Sequence, residues 1–371
     1  MKTSGLHIGL VGLLPPPPGG MANQTQQLAE LLRNEGILVE MIQVNRPYRP
    51  RWVGRIKGIR AVFRLLPYLT HLWQCANKVQ LFHVMANSGW SWHLFAAPAI
   101  WIARIRRKPV IINYRGGDAD AYFDKAFFWV KPTLRQASKI IVPSGFLAAV
   151  FEKRGFSTNI VPNIIDLSRF SAETDTKVTS NKNSPHLLVP RNLELIYDNA
   201  TALRAFSIVR KQFPTSRLTI TGSGSQRQAL ENLVIELGLQ DAVFFTGHLT
   251  NHEMVALYRS SDVMVNPTTV DNMPISVLEA LACGVPIVST NVGGVPYLVE
   301  HNNTALLVPE KNPIAMADAI LVLLNNPAKA QKIRSAGLNA VQSYTWKEVR
   351  NRLLSVYENV LKKPDNFKAE L

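Results

Sequence analysis

Two carboxylates, Asp271 and Glu279, lie eight positions apart in the largely apolar stretch "DNMPISVLEALACG". Proline is tolerated in the first turn of a helix and not in its interior, so Pro274 predicts a helix that starts close to it. Asp271 then lies in the loop before the helix and Glu279 within the helix, and the first helical N–H groups, of Ile275 and Ser276, lie between them. Such a helix start suits a diphosphate. The alternative is a capping Asp and a surface Glu.

Short apolar runs alternate with segments of helical period along the chain, an order typical of parallel sheets with right-handed crossovers. The runs predict twelve strands: 8–14, 38–44, 81–85, 110–114, 140–143, 158–161, 187–189, 217–221, 243–246, 263–266, 287–289 and 305–308. The fold class is therefore α/β, with two doubly wound, Rossmann-like domains. Ligands of open parallel sheets bind beyond the carboxyl ends of the strands, so we expect the site in a cleft between the two domains.

The domain boundaries follow from one polar segment and one unpaired helix. Residues 168–186 contain few apolar side chains and are interpreted as a linker between a first domain, 1–167, and a second domain, 187–345. Residues 346–371 form an amphipathic pattern with no partner strand, and such a helix could pack back on the first domain.

Composition indicates a folded globular protein of two ordinary domains, with 371 residues and 47% apolar side chains. Cys75 and Cys283 are far apart in sequence, which argues against a disulfide framework and favours a reducing cytoplasm. The apolar stretch 94–103 has about half of the roughly 20 residues that cross a bilayer, so no transmembrane helix is predicted.

The net charge of +15 is concentrated in the first half, where residues 1–150 hold 19 Lys and Arg against 6 Asp and Glu. Much of this charge lies in 46–73, where basic residues alternate with Trp, Phe, Ile and Leu, and a second cluster lies at 104–108. This pattern suits docking on the anionic inner face of a plasma membrane. The alternative is a solvated basic face over an ordinary core stripe. No recognition motif for nucleic acid accompanies the charge.

Several motifs occur in a fixed order: "VPSGFLAAVFEKRGF" with "IVPNIIDLSRF", then "RLTITGSGSQRQALENLVIELGLQDAVFFTGHL", "LYRSSDVMVNP", the paired acids with "EALACGVPIVSTNVGG", and "TALLVP". With this order and spacing the chain resembles the family 4 glycosyltransferases, retaining enzymes of GT-B architecture, over nearly its whole length. The resemblance implies a nucleotide-sugar co-substrate of the UDP or GDP type, bound mainly by the second domain. It also implies catalysis without a metal or other cofactor.

Carried over by position, the resemblance assigns ligand groups in the second domain. Glu279 would accept hydrogen bonds from ribose hydroxyls, Asp271 would hold hydroxyls of the sugar, and Arg191 would stabilise the leaving diphosphate. A structural ion pair is the alternative for Arg191. The phosphates would meet the backbone around the helix start, and two glycines would form a turn near the nucleotide unless they serve only as a tight turn; these residues are Asn272, Met273, Pro274, Ile275, Ser276, Gly222 and Gly224.

In the first domain, Gly19 and Gly20 would open a helix and let backbone approach the donor phosphate or the acceptor. Arg115, in "NYRGGDAD", takes the place where many relatives have a histidine that contacts the donor sugar. It could supply positive charge toward the donor or contact an acceptor phosphate, and both options stay open. His83 and His93 are interpreted as core or cleft-wall residues.

The chain departs from the family pattern in the second domain. Ile196 and Tyr197 occupy the position of the usual phosphate-binding lysine, and Asp271 is one methylene shorter than the usual Glu. Ile164 also replaces a glycine in "PNIID". We therefore expect a retaining, metal-independent glycosyltransferase that acts on a cell-envelope glycan or glycolipid, cytoplasmic or peripheral on the membrane. The alternative is a non-catalytic GT-B subunit that binds nucleotide or glycan. A nucleotide-sugar epimerase lacks a clear acid/base pair.

Overall fold

The computed structural model describes residues 5–16, 19–48, 52, 56, 59–172 and 184–362. The chain divides into two compact units: unit 1 comprises residues 1–163 and 349–371, and unit 2 comprises residues 164–348. Each unit has its own parallel sheet and its own hydrophobic core.

Unit 1 is built on a six-stranded parallel sheet of order β2-β1-β3-β4-β5-β6. Its strands are β1 His7–Gly12, β2 Leu38–Gln43, β3 Leu81–Ala86, β4 Val110–Tyr114, β5 Lys139–Val142 and β6 Asn159–Ile160. Every residue of β3 and β4 is buried. Strands that are covered on both faces need apolar side chains on both, which is why these segments are continuous apolar runs.

Five helices connect these strands: α1 Gly20–Asn34, α2 Ile59–Cys75, α3 Ala97–Ile105, α4 Ala119–Leu134 and α5 Gly145–Glu152. A π-helical turn, Trp92–Ala96, leads directly into α3. Right-handed crossovers place α2 to α5 on one face of the sheet and α1 on the other, because the chain reverses its direction across the sheet after β2.

Unit 2 repeats this construction with a second parallel sheet, of order β12-β11-β10-β7-β8-β9. Its strands are β7 His186–Val189, β8 Arg217–Thr221, β9 Val243–Gly247, β10 Val263–Asn266, β11 Ile287–Thr290 and β12 Leu306–Val308. Its helices are α6 Asn199–Gln212, α7 Arg227–Glu236, α8 Asn251–Arg259, α9 Ile275–Ala282, α10 Pro313–Asn325 and α11 Pro327–Ala340. All twelve predicted strands are present, and the α/β fold class of two parallel sheets is confirmed.

The last helix, α12 Trp346–Lys362, contributes most of its length to unit 1. Arg350 forms an ion pair with Glu35, at 3.1 Å, at the end of α1. Further along α12, the buried Tyr357 hydroxyl lies 2.7 Å from Nδ1 of His83, which is buried on β3. These contacts attach the C-terminal helix to the first sheet.

The division into units differs from the boundaries inferred from sequence. Unit 1 ends at Asn163, and residues 164–172 belong to unit 2, where Phe170 is buried against Tyr258. The central part of the expected linker, residues 173–183, lies outside the described residues.

The basic segment 46–73 is described only in part. Residues 49–51, 53–55 and 57–58 lie outside the described residues, whereas Trp52 and Ile56 are exposed. No helix in the described part of the chain combines the length and apolarity that crossing a bilayer requires.

We predict that Tyr357→Phe lowers the free energy of unfolding by about 1–3 kcal/mol, because it leaves a ring nitrogen of His83 buried without a partner. Urea denaturation followed by tryptophan fluorescence measures the change. Tyr297→Phe is the matched control, because Tyr297 is exposed. Equal stability of the two variants would show that the buried hydrogen bond contributes nothing.

Candidate active site

Two predicted ligand groups of unit 2, Arg191 and Asp271, lie in segments that follow parallel strands, close to Asn266, which was not predicted. Arg191 lies two residues after β7, Asn266 is the last residue of β10, and Asp271 follows in the loop before α9. The carboxyl ends of parallel strands meet at one edge of a sheet, where ligands of such sheets bind. Arg191 and Asp271 are therefore neighbours although 80 positions separate them.

Arg191 is fixed by three side chains. Its Nε donates to Oδ1 of Asn266 at 2.7 Å, its NH2 group donates to Oδ2 of Asp271, and its guanidinium lies 4.7 Å from the centre of the Tyr197 ring. Asn266 is itself buried and donates to Ser289 Oγ at 2.8 Å. The guanidinium therefore has one defined orientation.

The pairing of Arg191 with Asp271 is a structural ion pair, which is the alternative that the sequence leaves open for Arg191. The family resemblance instead assigns the two side chains separate ligand groups, a phosphate and a sugar. Asp271 also accepts the backbone N–H of Asn272 through Oδ1, at 2.7 Å. One carboxylate thus orders both the cation and the loop that leads to α9, and the ligand roles of both residues stay predictions.

Glu279 is held by Tyr258, a residue that the sequence interpretation did not select. The fully buried Tyr258 hydroxyl donates to Oε2 of Glu279 at 2.9 Å. Burial raises the pKa of Glu279 from 4.5 to about 7, although the Tyr258 hydrogen bond and the charge of Arg191 act in the opposite direction. Glu279 is thus a partly buried carboxyl group that titrates close to neutral pH.

Helix α9 begins as Pro274 predicted, with this proline at the N-cap and Ile275 as the first helical residue. The N–H groups of Ile275 and Ser276 belong to the first turn, where no intrahelical acceptor exists. Asn272 and Met273, just before the cap, are buried. The Ser276 hydroxyl is also buried and has no hydrogen-bond partner among the described residues. Buried hydroxyls usually have a partner, so this one suits a polar ligand.

Two glycines support the loop of Asp271 from behind. A Cβ on Gly294 would lie 1.6 Å from the carbonyl oxygen of Asn272, and one on Gly293 would lie 2.2 Å from that of Asp271. The Gly294 N–H donates to the Asp271 carbonyl at 2.8 Å. The sequence contained this signal in "NVGG", but the role of the glycines depends on a contact between distant segments.

Gly222 and Gly224 also act through packing. Gly222 has a φ of +87°, and a Cβ there would lie 3.0 Å from the Arg191 carbonyl oxygen. A Cβ on Gly224 would lie 2.3 Å from the carbonyl oxygen of Leu193. These contacts support the tight-turn interpretation and show that the turn shapes the segment carrying Arg191. Contact of either glycine with a nucleotide stays a prediction.

In unit 1, Gly19 is the N-cap of α1 and Gly20 is its first residue, and a Cβ on either would meet open space. Arg115 follows β4, and its guanidinium contacts side chains of unit 1, including Asn163. Ile164 is buried and does not adopt a positive φ, so this turn needs no glycine.

Both histidines considered in the sequence have protein partners. His83 is buried between Tyr357 and Asn113, and His93 lies 3.1 Å from the Tyr122 hydroxyl. No group of three or more His, Cys, Asp or Glu side chains with metal-binding geometry occurs among the described residues.

We predict that Gly294→Ala lowers the free energy of unfolding by about 1–3 kcal/mol, because the added methyl group forces the Asn272 carbonyl to move. Chemical denaturation followed by circular dichroism measures the effect. Gly117→Ala is the control, because a Cβ there has no neighbour within 4 Å. If the two variants lose equal stability, the close approach does not constrain the loop.

Comparison with solved structures agrees with the two-sheet architecture. Sucrose-phosphate synthase of Thermosynechococcus elongatus superposes with a TM-score of 0.76 at 22% identity, over 96% of this chain and 99% of that chain. The Anabaena protein HepE, solved with UDP-glucose, superposes with a TM-score of 0.74 at 17% identity, over 95% of this chain and 100% of that one. At these identities the likeness shows the fold.

Sequence comparison identifies the family. A D-inositol 3-phosphate glycosyltransferase of Pseudarthrobacter chlorophenolicus is 30% identical over 207 residues, 54% of this chain and 49% of that protein. The matched region thus spans about half the length of that relative. The family model "Glycosyl transferases group 1" matches residues 171–340, and "Glycosyltransferase Family 4" matches residues 18–169. Two glycosyltransferase models in this order cover most of the chain, which therefore belongs to the family 4 (group 1) glycosyltransferases.

Proposed function

We propose that this chain is a retaining glycosyltransferase that moves a sugar from a nucleotide-sugar donor to a glycan or glycolipid of the cell envelope. The observation that carries the proposal is the polar cluster of unit 2. There, Asn266 and Asp271 fix the guanidinium of Arg191, and the start of α9 adds unpaired N–H groups and the partnerless Ser276 hydroxyl. Cationic and N–H donors of this kind suit a diphosphate.

The two carboxylates of the cluster suit hydroxyl groups. Glu279 uses Oε2 to accept the Tyr258 hydrogen bond, and its Oε1 has no partner among the described residues. We assign Oε1 to the ribose hydroxyls. Asp271 has lone pairs beyond those used by Arg191 and Asn272, and we assign these to hydroxyls of the transferred sugar.

In the proposed reaction, the bond between the sugar and the diphosphate breaks, and the same sugar carbon forms a bond to the acceptor hydroxyl oxygen. Negative charge develops on the leaving diphosphate, which takes up the hydroxyl proton. Arg191 and the helix start stabilise that charge, and because they are already oriented they need little reorganisation during the step. We expect no metal requirement, since these groups meet the diphosphate charge. Neither carboxylate needs to transfer a proton.

Tyr197 favours the second candidate, a non-catalytic GT-B subunit. It lies where the family resemblance places a phosphate-binding lysine, and its ring stacks on Arg191 instead of adding a charge. Consumption of the donor by the purified chain distinguishes the two candidates. Turnover of a nucleotide sugar excludes the non-catalytic subunit. Binding of the nucleotide sugar with no turnover, whichever acceptor is added, supports the non-catalytic subunit.

UDP-glucose is a reasonable first donor to test, because the structure of HepE, which has a similar fold, was solved with UDP-glucose. GDP-linked sugars are the second group. A donor that binds the folded chain raises its melting temperature by mass action, so a thermal-shift screen ranks the two groups.

We predict that Glu279→Gln weakens binding of the preferred nucleotide sugar about 10- to 100-fold, as expected for a lost hydrogen bond to a charged acceptor. The pKa of about 7 adds a pH dependence: wild-type affinity increases as pH rises through 7, because only the carboxylate is purely an acceptor. The Gln variant lacks this dependence. Calorimetric titration at several pH values measures both effects.

The control for this experiment is Glu236→Gln, an exposed glutamate at the end of α7 in the same unit. It should bind donor like the wild type. Unchanged affinity in Glu279→Gln, or the same pH dependence in that variant, would remove Glu279 from the donor site.

The acceptor part of the proposal is supported by the α2–α4 face of unit 1. Phe128 and Trp129 on α4 are 79% and 71% exposed, and Trp73 on α2 and Trp101 on α3 are also exposed. Basic side chains accompany them: Lys125, Lys131, Arg135 and the 104–108 cluster after α3. Exposed aromatic rings among cations fit an anionic membrane surface, where a glycolipid acceptor would be found.

We predict that the full chain sediments with phosphatidylglycerol vesicles at low salt and is released at high salt, because salt screens the attraction. A Phe128→Ser, Trp129→Ser double variant should bind several-fold less. Phe244→Ser, a change of an exposed aromatic residue in unit 2, is the control. Equal binding to phosphatidylcholine vesicles, or no effect of the double variant, would contradict docking through this face.

A further inference from the structure

Arg115 is a cation of unit 1 without a counter-charge in the described part of the chain. It follows β4 at the carboxyl edge of the sheet, and it is only partly exposed. Its Nε donates to Oδ1 of Asn113 at 2.7 Å, and its NH1 donates to Oδ1 of Asn163. No described carboxylate forms an ion pair with it. Burial lowers the pKa of Arg115 only to about 10, so it stays charged at neutral pH.

A buried chain of hydrogen bonds fixes this cation. A guanidinium only donates, so Asn113 accepts from Arg115 through its oxygen and donates through its amide nitrogen to Nε2 of His83, at 3.0 Å. Nδ1 of His83 therefore carries the ring proton and donates to the Tyr357 oxygen, at 2.7 Å. Burial and the charge of Arg115 lower the pKa of His83 to about 3, so the histidine is neutral.

This arrangement is costly unless the cation has a ligand. Removing a charge from water costs free energy. The neutral amides orient the guanidinium, but they supply no negative charge that offsets this cost. The two N–H groups of NH2 have no acceptor among the described residues. Arg191 of unit 2, by contrast, is neutralised by Asp271.

We propose that Arg115 is the centre of an oxyanion site in unit 1, which binds a phosphate or carboxylate group carried by the acceptor. Asn113, His83 and Tyr357 are positioning residues for its guanidinium. Arg115 lies at the carboxyl edge of an open parallel sheet, which is the edge at which ligands of such sheets bind. The identity of the ligand as the acceptor rests on the proposed function, whereas the oxyanion site itself rests on the contacts within unit 1 alone.

The test uses the full chain with arginine labelled in ¹⁵N, so that the Nε–H resonance of Arg115 reports directly on its ligand. The resonance is assigned by its absence in Arg115→Lys. Glycerol 3-phosphate is the probe, glycerol is its neutral counterpart, and UDP-glucose represents the donor. We expect a saturable shift with glycerol 3-phosphate and none with glycerol.

Asn163→Asp is the decisive variant, because it places a carboxylate of nearly the same shape beside the guanidinium. We expect it to weaken glycerol 3-phosphate binding at least tenfold. Arg33→Lys, a change of an exposed arginine of the same unit, should leave the Arg115 response unchanged. If Asn163→Asp fails to fold, Arg115→Gln with calorimetric detection of glycerol 3-phosphate replaces it, with the same tenfold loss expected.

The inference is overturned if glycerol 3-phosphate leaves the Arg115 resonance in place, or if the substitution meant to block the site leaves affinity unchanged. A shift caused by UDP-glucose and not by glycerol 3-phosphate would also overturn it, by assigning the cation to the donor phosphates. Absence of any nucleotide-sugar binding would refute the proposed function and leave the oxyanion site to be judged on its own result.

Discussion

The guanidinium of Arg191, held between Asn266 and Asp271, is the interaction on which the arrangement of unit 2 depends. It joins the segment after β7 to the end of β10 and to the loop before α9. Because Asp271 also caps the Asn272 N–H, the same carboxylate orders the approach to the helix start. The groups that we assign to diphosphate and sugar are thus fixed by one shared network.

That network needs backbone to approach backbone. Gly294 lets the Asp271 loop pack against the turn after β11, and Gly224 lets the turn after β8 pack against Leu193. Any side chain at either position would displace a carbonyl group of a neighbouring loop. These glycines therefore act by allowing neighbouring loops to pack closely, which brings the polar side chains on those loops into contact.

The two arginines show different electrostatic solutions. The charge of Arg191 is neutralised by the Asp271 carboxylate, so its burial requires no other anion. Its contribution to the proposed reaction is a guanidinium that is already oriented. Arg115 is held only by amide oxygens, so its charge is available to an anion. A cation without a counter-charge suits recognition of an anionic ligand, while a cation already paired with a carboxylate suits stabilising charge that appears during a reaction.

Local patterns were sufficient for the fold. Apolar runs located all twelve strands, and Pro274 located the start of α9, since both signals depend on a few consecutive residues. The pairing of Arg191 with Asp271 and of His83 with Tyr357 could not be predicted from such patterns, since 80 and 274 positions separate the partners. The hydrogen bond between Tyr258 and Glu279 could not be predicted either, because only the fold brings the two side chains together.

The central claim is that the Arg191–Asp271 pair acts as one unit in binding the nucleotide sugar. A double-mutant cycle of donor affinity, with Arg191→Gln, Asp271→Asn and the double variant titrated by calorimetry, tests it most directly. We predict that either single change weakens binding and that the second change adds little, with a coupling energy on the order of 1–3 kcal/mol. Fully additive losses, or a wild-type chain that binds neither UDP- nor GDP-linked sugars, would contradict the account.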